Sequence, residues 1–253
     1  MQLLKVKPTK IHKAKVIQNT KLSDDIYRLE LVADLEEVNP GNFISILCEG
    51  KTLRRPFSIA GFKYNKLEIL YKVKGDGTIY MSELRPNDKV DFIGALGNSF
   101  SINNHKSLLI GAGVGVAPIK FLSEKLSEKG IDNKIIAGLQ TNITDLLPKN
   151  STLYTNDGSS GLKGSVLDNL EQEIIEYNPK IIYTCGPKIV METAVKLAKK
   201  YNLQIETALE RDFACGVGAC MGCIVEIIEE DGLVNKRICK DGPVFDGRKV
   251  IWN

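Results

Sequence analysis

Cys215, Cys220 and Cys223 lie on one short stretch of chain, and Cys239 follows after fifteen intervening residues. The C-x4-C-x2-C spacing with a distant fourth cysteine is the plant-type [2Fe-2S] ligand pattern. Three thiolates on one loop must wrap a rhombic cluster, so the backbone has to bend sharply and come close to the sulfides. Gly216, Gly218, Ala219 and Gly222 permit both and leave backbone N–H groups to point at sulfur. Four cysteines also suit tetrahedral zinc, and packing or disulfide cysteines are the third reading. Zinc ribbons pair two short knuckles, whereas Cys239 arrives alone, which favours the cluster.

The chemistry of thiols depends on compartment. The stretch Met1 to Pro8 has no apolar core and no cleavage-like site, so no signal peptide is expected and the cysteines read as reduced thiols or ligands in a cytoplasmic protein. The longest uncharged apolar stretch, 108–119, has 12 residues including three glycines and a proline, short of the roughly 20 that a bilayer requires. Lys+Arg 34 against Asp+Glu 31 leaves a net charge of +3, too balanced for the basic stripe of a nucleic-acid binder. Neither a membrane nor a nucleic acid is expected as a partner. Cys48, in an apolar strand, reads as a packing thiol, and His12 and His105 as surface residues.

The 253 residues change character along their length. Over 6–102, short apolar or alternating runs at 13–19, 26–32, 43–47, 57–60, 67–73 and 89–93 are broken by turn signals, which predicts a small antiparallel barrel or sandwich. Over 103–208, strands at 107–110, 134–138, 152–155, 180–184 and 204–207 alternate with helices, one running from 119 to Gly130 and others at 165–177 and 188–201. That alternation predicts a doubly wound parallel sheet of nucleotide-binding type. The remaining 209–253 is too short to bury a core of its own and needs a metal centre or docking onto its neighbours.

Three further constellations carry chemistry. Arg54-Arg55-Pro56-Phe57-Ser58 opens a barrel strand; guanidinium suits a pyrophosphate and the aromatic with its hydroxyl neighbour suits a flat isoalloxazine, although alone it also reads as a charged surface strand. Gly77-Thr78 precedes apolar Ile79 and Met81 and offers N–H groups to phosphate as a helix start. Gly111, Gly113, Gly115 and Pro118 turn at the end of a parallel strand, where a dinucleotide phosphate would sit, and Cys185-Gly186-Pro187 ends another. The glycines lack a strict G-x-G-x-x-G, so a tight structural turn stays an equal reading for both. Asp157, just past the strand at 152–155, is a candidate partner for a ribose hydroxyl.

In this order, the Arg-x-aromatic-Ser strand, the glycine loop and Cys-Gly-Pro resemble the ferredoxin-reductase family, which joins a flavin-binding barrel to a pyridine-nucleotide domain. The block from Glu210 to Cys223, and Cys239-Lys-Asp-Gly-Pro-Val-Phe245, make the chain similar to the electron-transfer subunits of dihydroorotate dehydrogenase B. That resemblance implies an FAD-binding barrel (6–102), an NAD-binding domain (103–208) and a [2Fe-2S] domain (209–253). It implies that FAD lies against Arg54, Arg55, Pro56, Phe57, Ser58, Leu70, Tyr71 and Lys72, with Gly77 and Thr78 at its pyrophosphate. Cys215, Cys220, Cys223 and Cys239 would ligate the cluster, and Gly111, Gly113, Gly115, Pro118, Cys185, Gly186 and Pro187 would receive NAD. The implied partner is an FMN-containing dihydroorotate dehydrogenase catalytic subunit, two of each chain forming a heterotetramer in pyrimidine (UMP) biosynthesis. An oxidising (β/α)8 barrel takes about 250 residues by itself, so substrate oxidation is expected on that partner and no general base here. Two alternatives stand: a flavin and iron-sulfur subunit of an NADPH-dependent ferredoxin or sulfide-linked reductase, and a zinc-stapled binding module.

Overall fold

The computed structural model describes residues 10–143, 146–148 and 151–252. The expected boundaries at residues 6 and 253 lie outside the described residues.

Six antiparallel strands close into a barrel: β1 (Ile11–Lys21), β2 (Ile26–Val32), β3 (Phe43–Leu47), β4 (Arg55–Lys63), β5 (Lys66–Lys72) and β6 (Lys89–Leu96), in the order β1-β2-β5-β4-β3-β6. Closure leaves no free edge. Alternate residues, among them Leu29, Leu31, Ile44, Ile46, Ile69 and Phe92, fill the interior. Between β5 and β6 runs α1 (Asp76–Ser82), the helix that Gly77-Thr78 was expected to start.

The second unit is a seven-stranded sheet. It contains β7 (Ser107–Ala112), β8 (Asn133–Leu139), β9 (Thr152–Thr155), β10 (Leu162–Lys163), β11 (Ile181–Cys185), β12 (Gln204–Ala208) and, antiparallel at one edge, β15 (Val244–Asp246). Helix α2 (Val116–Glu128) covers one face, where Leu109, Ile135 and Tyr183 point. Helices α3 (Leu170–Tyr177) and α4 (Lys188–Lys200) cover the other, against Leu108, Ile136 and Ile182. Gly130, at φ +69, stops the turn after α2 as a left-handed glycine does. α2 is also the wedge between the units: Phe121 belongs to the barrel core, while Ala60 and Leu70 of the barrel pack with its other residues.

The cysteine-rich segment holds a hairpin, β13 (Ile224–Glu229) with β14 (Gly232–Arg237), then the one-turn helix α5 (Ile238–Asp241). Its small core of Val225, Ile227, Ile238 and Val250 is completed by Phe43 from the barrel and Met191 from α4, so it does dock onto both neighbours. The hairpin, β10 and β15 were not legible in the sequence. The helix expected over 165–177 begins only at Leu170. Asp168 Oδ2 takes the Ser165 N–H at 2.8 Å and Ser165 Oγ the Leu167 N–H at 3.2 Å, so side chains replace the helical bonds there.

Candidate functional site

Gly216 and Gly218 take φ +68 and +84, and the Cys215–Cys223 loop bends at both. Its N–H groups turn inward: Val217, Ala219 and Cys220 donate to Cys215 Sγ at 3.5, 3.3 and 3.4 Å. Gly222 donates to Cys220 Sγ at 3.4 Å, Gly218 to Cys239 Sγ at 3.2 Å and Cys239 to Cys223 Sγ at 3.4 Å. The thiols also act on one another: Cys220 lowers Cys215, while Cys223 and, less strongly, Cys215 raise Cys239. Among the described residues no three such side chains converge as they would on one ion. A loop that turns its N–H groups onto the thiol sulfurs, with the fourth cysteine arriving alone, suits a [2Fe-2S] cluster. Burial pushes the Cys215 thiol up, but the N–H groups of Val217 and Cys220, the Cys220 thiol and the Ala219 N–H outweigh it and hold it at about 6. Cys239 goes the other way, to about 12, through burial and the neighbouring Cys223.

The loop lies against the barrel. A Cβ on Gly216 would meet Ser45 Oγ at 3.6 Å, and Phe213 packs on Phe43 with ring centres 5.3 Å apart. Ser45 on β3 is paired with Pro56 on β4, inside the stretch expected to face a flavin. That link was invisible in sequence, where Ser45 is one polar residue in an apolar strand.

Arg54 to Ser58 are all half-buried. Arg55 reaches α1: a Cβ on Gly77 would meet Arg55 Nε at 3.2 Å, so the guanidinium lies over bare backbone at a helix start. The Asp76 and Gly77 N–H groups of that first turn have no helical carbonyl to bind, whereas the Thr78 N–H donates to the Gly75 carbonyl at 2.9 Å. A guanidinium beside these donors suits a pyrophosphate, and the residues fit FAD. Arg54 is placed otherwise, with Nη2 2.7 Å from Asp91 Oδ1 and Nη1 near the Ser45 and Asp91 carbonyls, where it ties β3, β4 and β6 together. The ring of Tyr71 also departs from the expected flavin contact. It turns into the barrel core, donates to Asn19 Oδ1 at 3.1 Å and stacks on Tyr27, because alternation on β5 leaves Leu70 and Lys72 on the outer side. Leu70 joins the core under α2. Lys72 Nζ spans the cleft between the units, 2.7 Å from Asp25 Oδ2 and 3.3 Å from Gln140 Oε1.

Gly111 on β7 is in register with Cys185 on β11, so the glycine turn and Cys185-Gly186-Pro187 are adjacent. The contact is tight. A Cβ on Gly115 would sit 2.5 Å from the Cys185 carbonyl, one on Gly186 2.9 Å from the Ala112 carbonyl, and one on Gly111 2.9 Å from Val116 Cα. Gly115 and Gly186 let the two strand ends approach, and Gly111 lets the start of α2 approach β7. Gly113 differs: at φ +55 it has open space before it. Burial pushes the Cys185 thiol up to about 12, with Glu210 adding to the rise, so it faces its surroundings as a protonated thiol at neutral pH. Pro118 is buried in the first turn of α2. Beside them a cavity of about 310 Å³ opens between the units, with Gly113, Val114 and Pro187 on one wall, Gln140 and Thr141 on another, and Ser23, Asp25 and Lys72 from the barrel. Gln140, Thr141 and Asn156 escaped sequence reasoning, though strand carboxyl ends were the signal. Just beyond Asn156, Ser159 donates its N–H and hydroxyl to Asp157 Oδ1 at 2.9 and 2.7 Å and holds that carboxyl below the usual range. His12 is only half exposed and stacks on Phe92 at 5.1 Å.

The family model of the iron-sulfur cluster binding domain of dihydroorotate dehydrogenase B matches residues 210–251. The dihydroorotate dehydrogenase B (NAD(+)) electron transfer subunit of Caldanaerobacter subterraneus subsp. tengcongensis is 36% identical over 247 residues, 95% of this chain and 98% of that one. The subunit of the same name from Clostridium acetobutylicum is 35% identical, covering 94% and 96%. Among solved structures, an NADH-dependent reduced ferredoxin-NADP oxidoreductase studied for flavin-based electron bifurcation superposes with a TM-score of 0.84 at 26% identity, covering 94% of this chain and 90% of that one. A ferredoxin reductase of carbazole 1,9a-dioxygenase, at 0.67 and 21%, covers 77% of this chain and 67% of that one and shares the fold.

Proposed function

The chain belongs to the family of dihydroorotate dehydrogenase B (NAD(+)) electron transfer subunits, and from that premise we propose how its residues divide the work. It is an oxidoreductase subunit that uses FAD, a [2Fe-2S] cluster and NAD. FAD supplies the exchange between two electrons, taken or given as hydride, and the single electrons a cluster carries. Everything else falls to the protein.

Arg55 and the first turn of α1 at Gly77-Thr78 hold the pyrophosphate of FAD, and the β4 stretch Pro56 to Ser58, with the backbone of Leu70 and Tyr71, lies along the isoalloxazine. Arg54 supports that strand from Asp91. The cavity between the units takes the nicotinamide end of NAD over Gly113 and Pro187. Lys72 guards its barrel side. Asp157 accepts a ribose hydroxyl and, as a carboxylate, disfavours a 2′-phosphate. Cys215, Cys220, Cys223 and Cys239 hold the cluster. The units divide near residues 102 and 208.

One observation carries the reading most: the cluster loop passes so close to Ser45 that a Cβ on Gly216 would meet its Oγ at 3.6 Å, and Ser45 is paired with Pro56 of the flavin strand. The cluster is thus held where electrons can pass between flavin and a docked partner. Cys220 is exposed, as are Val217 and Met221 beside it, and a groove of about 970 Å³ runs from Lys10 and Glu36 to Val217 and Cys239. That face receives the catalytic subunit, which carries FMN and oxidises dihydroorotate; two copies of each form a heterotetramer working in the cytoplasm. No described helix is long and apolar enough to cross a membrane. Relatives at 36% identity across nearly the whole chain favour this reading over the ferredoxin-linked one suggested by a 26% structural neighbour. Co-expression with the FMN-containing subunit should give dihydroorotate-dependent NAD reduction, while this chain alone keeps only nicotinamide-driven flavin reduction. Dihydroorotate oxidation by the isolated chain would refute the division of labour.

A further inference from the structure

Arg237 closes β14, two residues before Cys239. Its guanidinium serves two partners. Nε lies 2.9 Å from Asp241 Oδ2 and Nη2 3.0 Å from Asp241 Oδ1, a two-pronged ion pair. Nη1 donates to the Gly218 carbonyl at 3.0 Å. That carbonyl shares its peptide unit with the Ala219 N–H, which donates to Cys215 Sγ at 3.3 Å. A continuous chain of guanidinium, carbonyl, N–H and sulfur therefore runs through one peptide plane. A cation on the oxygen of an amide polarises it and strengthens the hydrogen bond its N–H makes on the other side. The geometry needs glycine: at φ +84, a Cβ on Gly218 would also come within 2.7 Å of Lys240 Cβ.

We propose that Arg237 is a positioning residue that raises the reduction potential of the cluster, acting on Cys215 through the Gly218–Ala219 peptide, with Asp241 setting how much of its charge is felt. The proposal rests on the four cysteines holding a [2Fe-2S] cluster. Reduction adds one electron there, and hydrogen bonds to sulfur and a nearby cation stabilise the added charge. The carboxylate of Asp241 opposes it. A purely structural pair is the competing account, since the Arg237 N–H also donates to Asp241 Oδ2 at 2.8 Å and starts α5. The two accounts differ in the sign of their effects.

The test is an anaerobic redox titration of the flavin- and cluster-loaded full chain, followed by the paramagnetic resonance signal of the reduced cluster after iron and sulfide are counted. Arg237→Gln should lower the potential, cutting the reduced-to-oxidised ratio at a fixed potential three- to tenfold, where tenfold is 59 mV for one electron. Asp241→Asn should shift it in the opposite direction, and Arg237→Lys should recover part of the loss. Fully loaded variants that do not shift, or that shift in the same direction, would overturn the proposal, and so would loss of iron from both, which makes the pair a clasp and nothing more. An unsubstituted chain that binds no iron would instead defeat the cluster assignment.

Discussion

At the scale of single residues, the site separates groups that build from groups that bind. Gly111, Gly115 and Gly186 are equally readable as a tight turn or a cofactor loop, and the structure adds that a Cβ on any of them would collide with β7, β11 or the start of α2. Gly113, with open space before it, is the one free to face a ligand. Sequence spacing singles out the four cysteines because three of them share one short loop and the fourth follows after fifteen residues. It did not show that Arg54 is spent on Asp91 or that the Tyr71 ring is buried, since both depend on which side of a strand a residue occupies. Asp157 gives the sharpest residue-scale prediction. Its carboxyl is held ionised by Ser159, which carries its own link to Thr141 on the cavity wall at 3.3 Å. Replacing Asp157 by Ser removes the charge that repels a 2′-phosphate and a ribose acceptor together. The ratio of kcat/KM for NADPH to that for NADH in dye reduction should rise by roughly an order of magnitude. An unchanged ratio at full flavin content would remove Asp157 from the nucleotide site.

At the scale of elements, periodicity revealed most of the fold because most strands bury one face. The barrel strands and the parallel strands other than β10 fall where alternation and apolar runs place them, within a few residues. The parts that stayed hidden are those whose stability comes from elsewhere. The β13–β14 hairpin leaves Ile228 and Leu233 exposed, and the three-residue β15 exists because β12 offers it an edge. Helix α2 shows how one element can join two units. Lys120 on it lies 3.4 Å from Glu68 Oε1 on β5 and 2.8 Å from Glu124 Oε1, with the Lys120 and Glu68 side chains 15% and 13% exposed. Lys120→Ala should cost about 1–3 kcal/mol, less than a wholly buried pair would lose, because Glu68 keeps its charge without a partner. Thermal unfolding would show the drop, and Lys120→Met with Glu68→Gln should restore most of it. A double variant as unstable as Lys120→Ala would place the cost in lost packing.

At the scale of the whole molecule, the cluster segment is anchored at both ends by different means. Its end is fixed without metal: β15 pairs with β12, and Asn98 donates to the Val244 carbonyl at 2.8 Å while accepting the Val244 N–H at 2.9 Å. Ahead of the cysteines Leu209 donates to the Pro243 carbonyl at 2.9 Å and Phe213 packs on Phe43, but among the described residues the Cys215–Cys223 loop itself joins no sheet. Many of the inward N–H groups of the Cys215–Cys223 loop aim at sulfur, with Gly216, Gly218 and Met221 at positive φ. Such a loop is held by what its sulfurs hold. Iron removal by a chelator under reducing conditions should therefore be a local event. Amide exchange should accelerate strongly over the Cys215–Cys223 loop and around Cys239, moderately over β13 and β14, and hardly at all in β15, the barrel or the sheet. Flavin reduction by NADH should survive, since Arg55, Gly77 and the cavity lie on the other units, while electron delivery to the partner stops. Exchange in β15 that rises together with the loop would show that the cluster organises the sheet edge too, and that electron transfer and fold stability are held by the same four cysteines.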